Sequence, residues 1–176
     1  RHVDDTLAGW FEDWNARELL DGTLLIVTAD HGEALGQRGF AHGHGAPYLE
    51  GLRVPLILHH PAGLRAGERE TAPVQITDLV PTILDFAGLP RDPRLPGVSL
   101  LGSLPAERPL LLLEPRHYDV LIDWPLKRTH LLHGGEDHWF THDLALDPAE
   151  LAPLVLDPAE FTRLRDVARE RFGHGH

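Results

Sequence analysis

Thr23-Leu24-Leu25-Ile26-Val27-Thr28 is an unbroken run of strand-forming residues, and it ends directly in Ala29-Asp30-His31-Gly32-Glu33. Short continuous apolar runs bounded by turn residues are typical of strands buried on both faces of a parallel sheet. In open α/β sheets, ligands bind beyond the carboxyl ends of the strands, so the run predicts a place for chemistry as well as a layer. A carboxylate there costs desolvation unless something positive answers it. Asp30 and His31 offer an oxygen and an imidazole nitrogen to one divalent cation, and Gly32 would let the backbone turn tightly enough to splay both inward. An N-cap aspartate beside a solvated histidine would leave the same dipeptide. Glu33 has the position of a general base, and equally that of a glutamate favoured by the dipole at a helix start.

The segments around this run alternate as an α/β layered sheet does. Before it, Val3, Leu7, Trp10, Phe11 and Trp14 recur at helical spacing, with Asp21-Gly22 as the stop. After it, a Gly- and His-rich loop spans 35–48, and Arg53-Val54-Pro55-Leu56-Ile57-Leu58 is a second buried-strand candidate. A further helix carries Ile76, Leu79, Val80, Ile83, Leu84 and Ala87 on one face. Thr77 or Asp78 can cap it, Pro81 sits in its first turn and Gly88 ends it. Residues 88–108, rich in Pro and Gly, read as a linker crossing the surface. Four short strands are then expected at 110–113, 120–124, 129–132 and 139–144, antiparallel because no helix intervenes. Two Asp-Pro-Ala-Glu tetrads, at 147–150 and 157–160, each have the pattern of a helix start. The second precedes the stripe Phe161, Leu164, Ala168 and Phe172, closed by Gly173. These patterns predict an α/β portion over 1–106 and a small α+β portion over 107–176.

His42-Gly43-His44-Gly45 is the second chemical signal. Histidines on a Gly-rich loop can return over the same strand end and donate to an oxyanion or complete a metal shell; an exposed polar loop tip is the plainer reading. Other histidines lack ligand spacing. Composition narrows the classes. Lys plus Arg number 16 against 27 Asp plus Glu, a formal charge of −11, which disfavours nucleic acid and anionic membranes as partners. With no Cys there is no disulfide, zinc ribbon or cysteine nucleophile. The apolar runs are too short to span a bilayer. Nucleophile-elbow, P-loop and dinucleotide patterns are absent. The lack of any Met, even at position 1, predicts a piece of a larger protein.

In order along the chain, Thr28-Ala29-Asp30-His31-Gly32-Glu33, Leu35-Gly36, His44-Gly45, Tyr48-Leu49-Glu50 and Arg53-Val54-Pro55-Leu56-Ile57 resemble the C-terminal half of the sulfatases, within the alkaline phosphatase superfamily. Gln75–Leu84 with Gly88 resembles that family's D-x-x-P-T helix. Pro96–Leu100 resembles its G-x-S-L segment, and His142–Glu150 its Y-D-L-x-x-D-P-x-E signature. The resemblance implies the C-terminal part of an alkaline-phosphatase-like layered α/β sheet, followed by a small antiparallel sheet with a helix. It implies a metal-dependent hydrolase of sulfate esters. Asp30 and His31 would be metal ligands, and His44 ahead of His42 would contact the sulfate or phosphate group. The implied cation is Ca2+, with Mn2+, Mg2+ or Zn2+ as alternatives, and a periplasmic or extracellular location accords with it. The family's remaining ligands and its nucleophile, a formylglycine, belong to an N-terminal half, so 176 residues alone should bind metal weakly and turn over nothing. A phosphoethanolamine transferase or phosphodiesterase relative, or a non-catalytic binding module, are the competing readings.

Overall fold

The computed structural model describes residues 2–37, 43, 47–105, 108–114 and 117–172. They divide into two compact units, Arg1–Ala29 with Val54–Glu70, and Asp30–Arg53 with Thr71–His176.

The first unit contains helix α1 (His2–Ala16), a 3-10 turn at Leu19–Gly22, and strands β1 (Leu25–Thr28) and β2 (Leu56–His59). The predicted stripe of α1 is only partly covered. Leu7, Phe11 and Trp14 are half-buried, Val3 and Trp10 are exposed, and Trp14 contacts both Trp10 and Phe11 at ring separations of 6.2 and 5.8 Å. The left-handed residue after α1 is Glu18, at φ 55°, rather than Gly22. β1 and β2 pair antiparallel, from Leu25↔His59 to Thr28↔Leu56. The run at 23–28, expected in a parallel sheet, pairs antiparallel with β2. A parallel pair needs a crossover, usually helical, whereas the described part of 29–55 contains just the four-residue helix α2 (Leu49–Leu52). β2 also alternates in exposure, with Ile57 turned outward, so it is half-buried rather than buried through.

In the second unit, a 3-10 turn at Ile76–Asp78 leads into helix α3 (Leu79–Phe86), which ends at Gly88 with φ 64°. The stretch expected to cross the surface after α3 is in fact pinned to it. Val98 N–H donates to Asp78 Oδ1 (2.8 Å), Leu100 N–H to Thr82 Oγ1 (2.9 Å), and Thr82 Oγ1 to the Asp78 carbonyl (2.6 Å). Gly97, at φ 91°, sits so close to the Thr77 carbonyl that a Cβ would overlap it. Arg108 closes the cluster with a bidentate pair to Asp78, both bonds 2.7 Å and both side chains buried.

Strands β3 (Leu110–Glu114), β4 (Tyr118–Asp123), β5 (Leu126–His133), β6 (Glu136–Asp143) and β7 (Leu154–Val155) form one antiparallel sheet in sequence order. The expected antiparallel sheet with its helix is therefore present. Period-two alternation gives it two faces. One carries Leu111, Leu113, Leu121 and Trp139, which pack with Leu156 and with Phe161 and Leu164 of helix α4 (Pro158–Phe172). The other carries Val120, Lys127, Thr129 and His142, all essentially fully buried. The second tetrad opens α4 as predicted, Asp157 Oδ1 accepting Ala159 N–H at 2.9 Å. The first opens no helix. Asp147 caps a turn by accepting Leu151 and Ala152 N–H, and Glu150 turns inward at φ 52°. No helix among the described residues is long and apolar enough to cross a membrane.

Candidate metal centre

Asp30 and His31 follow β1 in irregular backbone, and the glutamate expected at a helix start, Glu33, heads no helix. Asp30 Oδ1 accepts the backbone N–H of His31 at 3.0 Å, which fixes the carboxylate beside the imidazole. His31 Nδ1 lies 2.8 Å from the Gly32 carbonyl. A carbonyl can only accept, so Nδ1 carries the proton and the lone pair is on Nε2. That lone pair is 3.8 Å from Asp30 Oδ1, too far for a hydrogen bond. Calcium takes oxygen ligands at roughly 2.3–2.6 Å, which the Asp30 carboxylate supplies, and a nitrogen donor 3.8 Å from that oxygen is near enough to share one such ion. For zinc, at about 2.0–2.2 Å, the same separation would open the ligand angle well past tetrahedral. The Asp30 carboxylate is exposed and the His31 ring partly so, which leaves room for further ligands.

The segment is held from behind by α2. Gly32 N–H donates to the Gly51 carbonyl at 2.8 Å, and a Cβ on Gly32 would overlap the Glu50 carbonyl oxygen and lie 3.0 Å from that of Arg53. Glycine is required here for close approach to α2 rather than for a turn only glycine can make; its φ is not positive. Next along, Ala34 is buried and its N–H donates to the Gly43 carbonyl at 2.8 Å, forming a short antiparallel bridge. The His-rich loop thus returns, at Gly43, to within four residues of Asp30. His42 and His44 themselves lie outside the described residues.

Sequence reasoning passed over a buried polar cluster behind α2. Lys127 Nζ, with its side chain fully buried, donates to the Pro47 carbonyl and to Glu150 Oε1. Glu150 Oε2 accepts Leu49 N–H at 2.7 Å. The Tyr48 ring lies 5.6 Å from the ammonium, and His142 Nδ1 lies 3.7 Å from Glu150 Oε1. The available signal was that Lys127 is the one lysine among sixteen basic residues. Among the described residues no three His, Cys, Asp or Glu side chains are grouped to hold a metal ion, so Asp30 and His31 stand as a pair.

The family profile described as Sulfatase matches residues 1–89, and the chain belongs to the sulfatase family. It is 29% identical over 171 residues to a choline-sulfatase of Rhizobium meliloti (strain 1021), covering 96% of this chain and 32% of that protein. It is 37% identical over 106 residues to an extracellular sulfatase SULF-1 homolog of Drosophila melanogaster, covering 60% and 9%. The fold matches a solved structure described as BT4656 in complex with its substrate D-glucosamine-2-N,6-O-disulfate, with TM-score 0.81 and 24% identity, over 96% of this chain and 38% of that one. The chain thus spans well under half of the length of these relatives.

Proposed function

We propose that the protein carrying this chain hydrolyses sulfate esters with the help of a divalent cation, Ca2+ in first place, for which Asp30 and His31 are two of the ligands. Membership of the sulfatase family supports the ester class. The observation that carries the metal is local: Asp30 Oδ1 and His31 Nε2 lie 3.8 Å apart, with Nδ1 tied to the Gly32 carbonyl. When bound, the cation would orient the attacking group and offset the charge on the ester's non-bridging oxygens. This chain's own residues prepare that site. The Gly32 carbonyl keeps the proton on Nδ1 and so presents the Nε2 lone pair. The His31 N–H holds the carboxylate beside it, and α2 fixes both from behind. His44, with His42 second, would donate to the anionic group; the Ala34–Gly43 bridge, which brings their neighbour Gly43 to the same segment, supports this. The nucleophile and the remaining ligands would come from sequence beyond this chain. A relative named as extracellular supports a periplasmic or extracellular site of action.

The test is metal analysis beside turnover of paired sulfate and phosphate esters by the intact protein. Asp30→Ala should lose bound divalent metal and sulfatase activity together. Full metal occupancy in Asp30→Ala would sink the assignment, and turnover of phosphate esters alone would replace the sulfatase with a phosphodiesterase.

A further inference from the structure

We infer that the buried Lys127–Glu150 pair is a positioning device for Asp30 and His31, acting through Pro47–Leu52; this rests on the metal-binding reading above. A buried ion pair returns little net stability against well-packed apolar side chains of similar volume, so stability alone does not account for one. Here both side chains are fully buried, and Glu150 adopts a left-handed backbone that non-glycine residues rarely take. What the pair holds is specific. Lys127 fixes the carbonyl of Pro47 and Glu150 fixes the N–H of Leu49, the two residues flanking Tyr48. The Tyr48 carbonyl accepts the N–H groups of Gly51 and Leu52, at 3.0 and 3.1 Å, which sets the orientation of α2. The Gly51 carbonyl then accepts Gly32 N–H, and the Gly32 carbonyl accepts His31 Nδ1–H. Each link is a hydrogen bond, and the Gly32–α2 contact has no space for even a methyl group. A displacement of α2 is therefore passed to the imidazole rather than absorbed. His142, also buried, borders Glu150 on the sheet side and sits opposite Lys127 in the β5–β6 register.

Two readouts test this in the intact protein: the Ca2+ affinity of chelator-stripped protein by calorimetry, and hydrogen-exchange protection of the Gly32 amide without metal. Lys127→Met/Glu150→Gln is the decisive variant, because it removes both charges and keeps an acceptor for Leu49 N–H. It should weaken Ca2+ binding severalfold, less than the roughly tenfold or more that follows loss of a partner bonded directly to a ligand, and should lower Gly32 protection. Lys127→Arg, which keeps a cationic donor, should restore much of both. Asp157→Ala, a destabilised helix cap remote from α2, should change neither. Wild-type Gly32 protection in the double variant, or Ca2+ affinity lost equally in Asp157→Ala, would overturn the inference. If Gly32 protection falls as expected but the wild-type protein shows no Ca2+ binding that Asp30→Ala removes, the positioning stands and the metal reading fails.

Discussion

Replacing Asp78 by Ala removes the acceptor at the centre of the α3 cluster. Its two oxygens take bonds from Arg108 Nη1 and Nη2, both 2.7 Å, from Val98 N–H at 2.8 Å and from Gln75 N–H at 2.9 Å. Arg108 is 2% exposed, so its guanidinium would stay buried without the Asp78 carboxylate. Breaking a buried pair from one side costs about 3–5 kcal/mol. The two backbone donors are only partly buried and can recover some hydration, so they add about 1 kcal/mol each at the low end of an unsatisfied group. The expected loss is about 5–7 kcal/mol, comparable to the whole stability of many domains. Removing both charges is the control. Asp78→Ala/Arg108→Met removes both charges of the pair, takes the acceptor from the Val98 and Gln75 N–H groups, and should be more stable than Asp78→Ala alone. Equilibrium urea unfolding of wild type, both single variants and the double variant gives the cycle, provided m is unchanged. If Asp78→Ala costs less than about 1.5 kcal/mol, or the double variant is no more stable than the single, then this is not a buried charge pair in the sense argued.

Gly32→Ala should lower stability by about 1–3 kcal/mol, the usual cost of an added methyl with no space, and weaken metal binding; unaltered urea unfolding would contradict the close approach to α2. His44→Ala should reduce turnover of sulfate esters at near-normal metal content, and unchanged kinetics would move the anion contact to His42 or to neither. The side-chain and backbone hydrogen bonds from Arg94 hold the exposed Asp92 carboxyl below its ordinary value of 3.8. Its contribution is thus present above that value and lost as pH falls through the lower folded one. An NMR titration should find the Asp92 midpoint below 3.8 and returning towards it in Arg94→Ala; an unmoved midpoint would remove the pair.

Patterns carried by neighbouring residues were legible in the sequence, and those set by distant ones were not. The stripe from Ile76 to Ala87 with Gly88 located α3, and alternation without intervening helices located β3–β6 and their antiparallel order. β7 was missed because two residues, both exposed, carry no alternation. α2 was missed because four residues are barely one helical turn. The pairing direction of β1 and β2 is decided by how the chain connects them, about which a strand's own residues say nothing. The two Asp-Pro-Ala-Glu tetrads are identical, yet only the second starts a helix; Glu150 is drawn inward by Lys127, 23 residues away. The sequence singled out Asp30 and His31, whose Oδ1 and Nε2 the structure sets 3.8 Å apart, but the reason for Gly32 lay in α2. Lys127 lies in no motif of the sequence, yet it is a fully buried ion-pair partner.

An anomalous-scattering map of the intact protein crystallised with Mn2+ tests the central claim most directly. Asp30 Oδ1 and His31 Nε2 should both lie within about 2.6 Å of one peak, the outer limit for ligands of a hard cation. A peak bound elsewhere, or one with Asp30 and His31 turned away from it, would contradict the account.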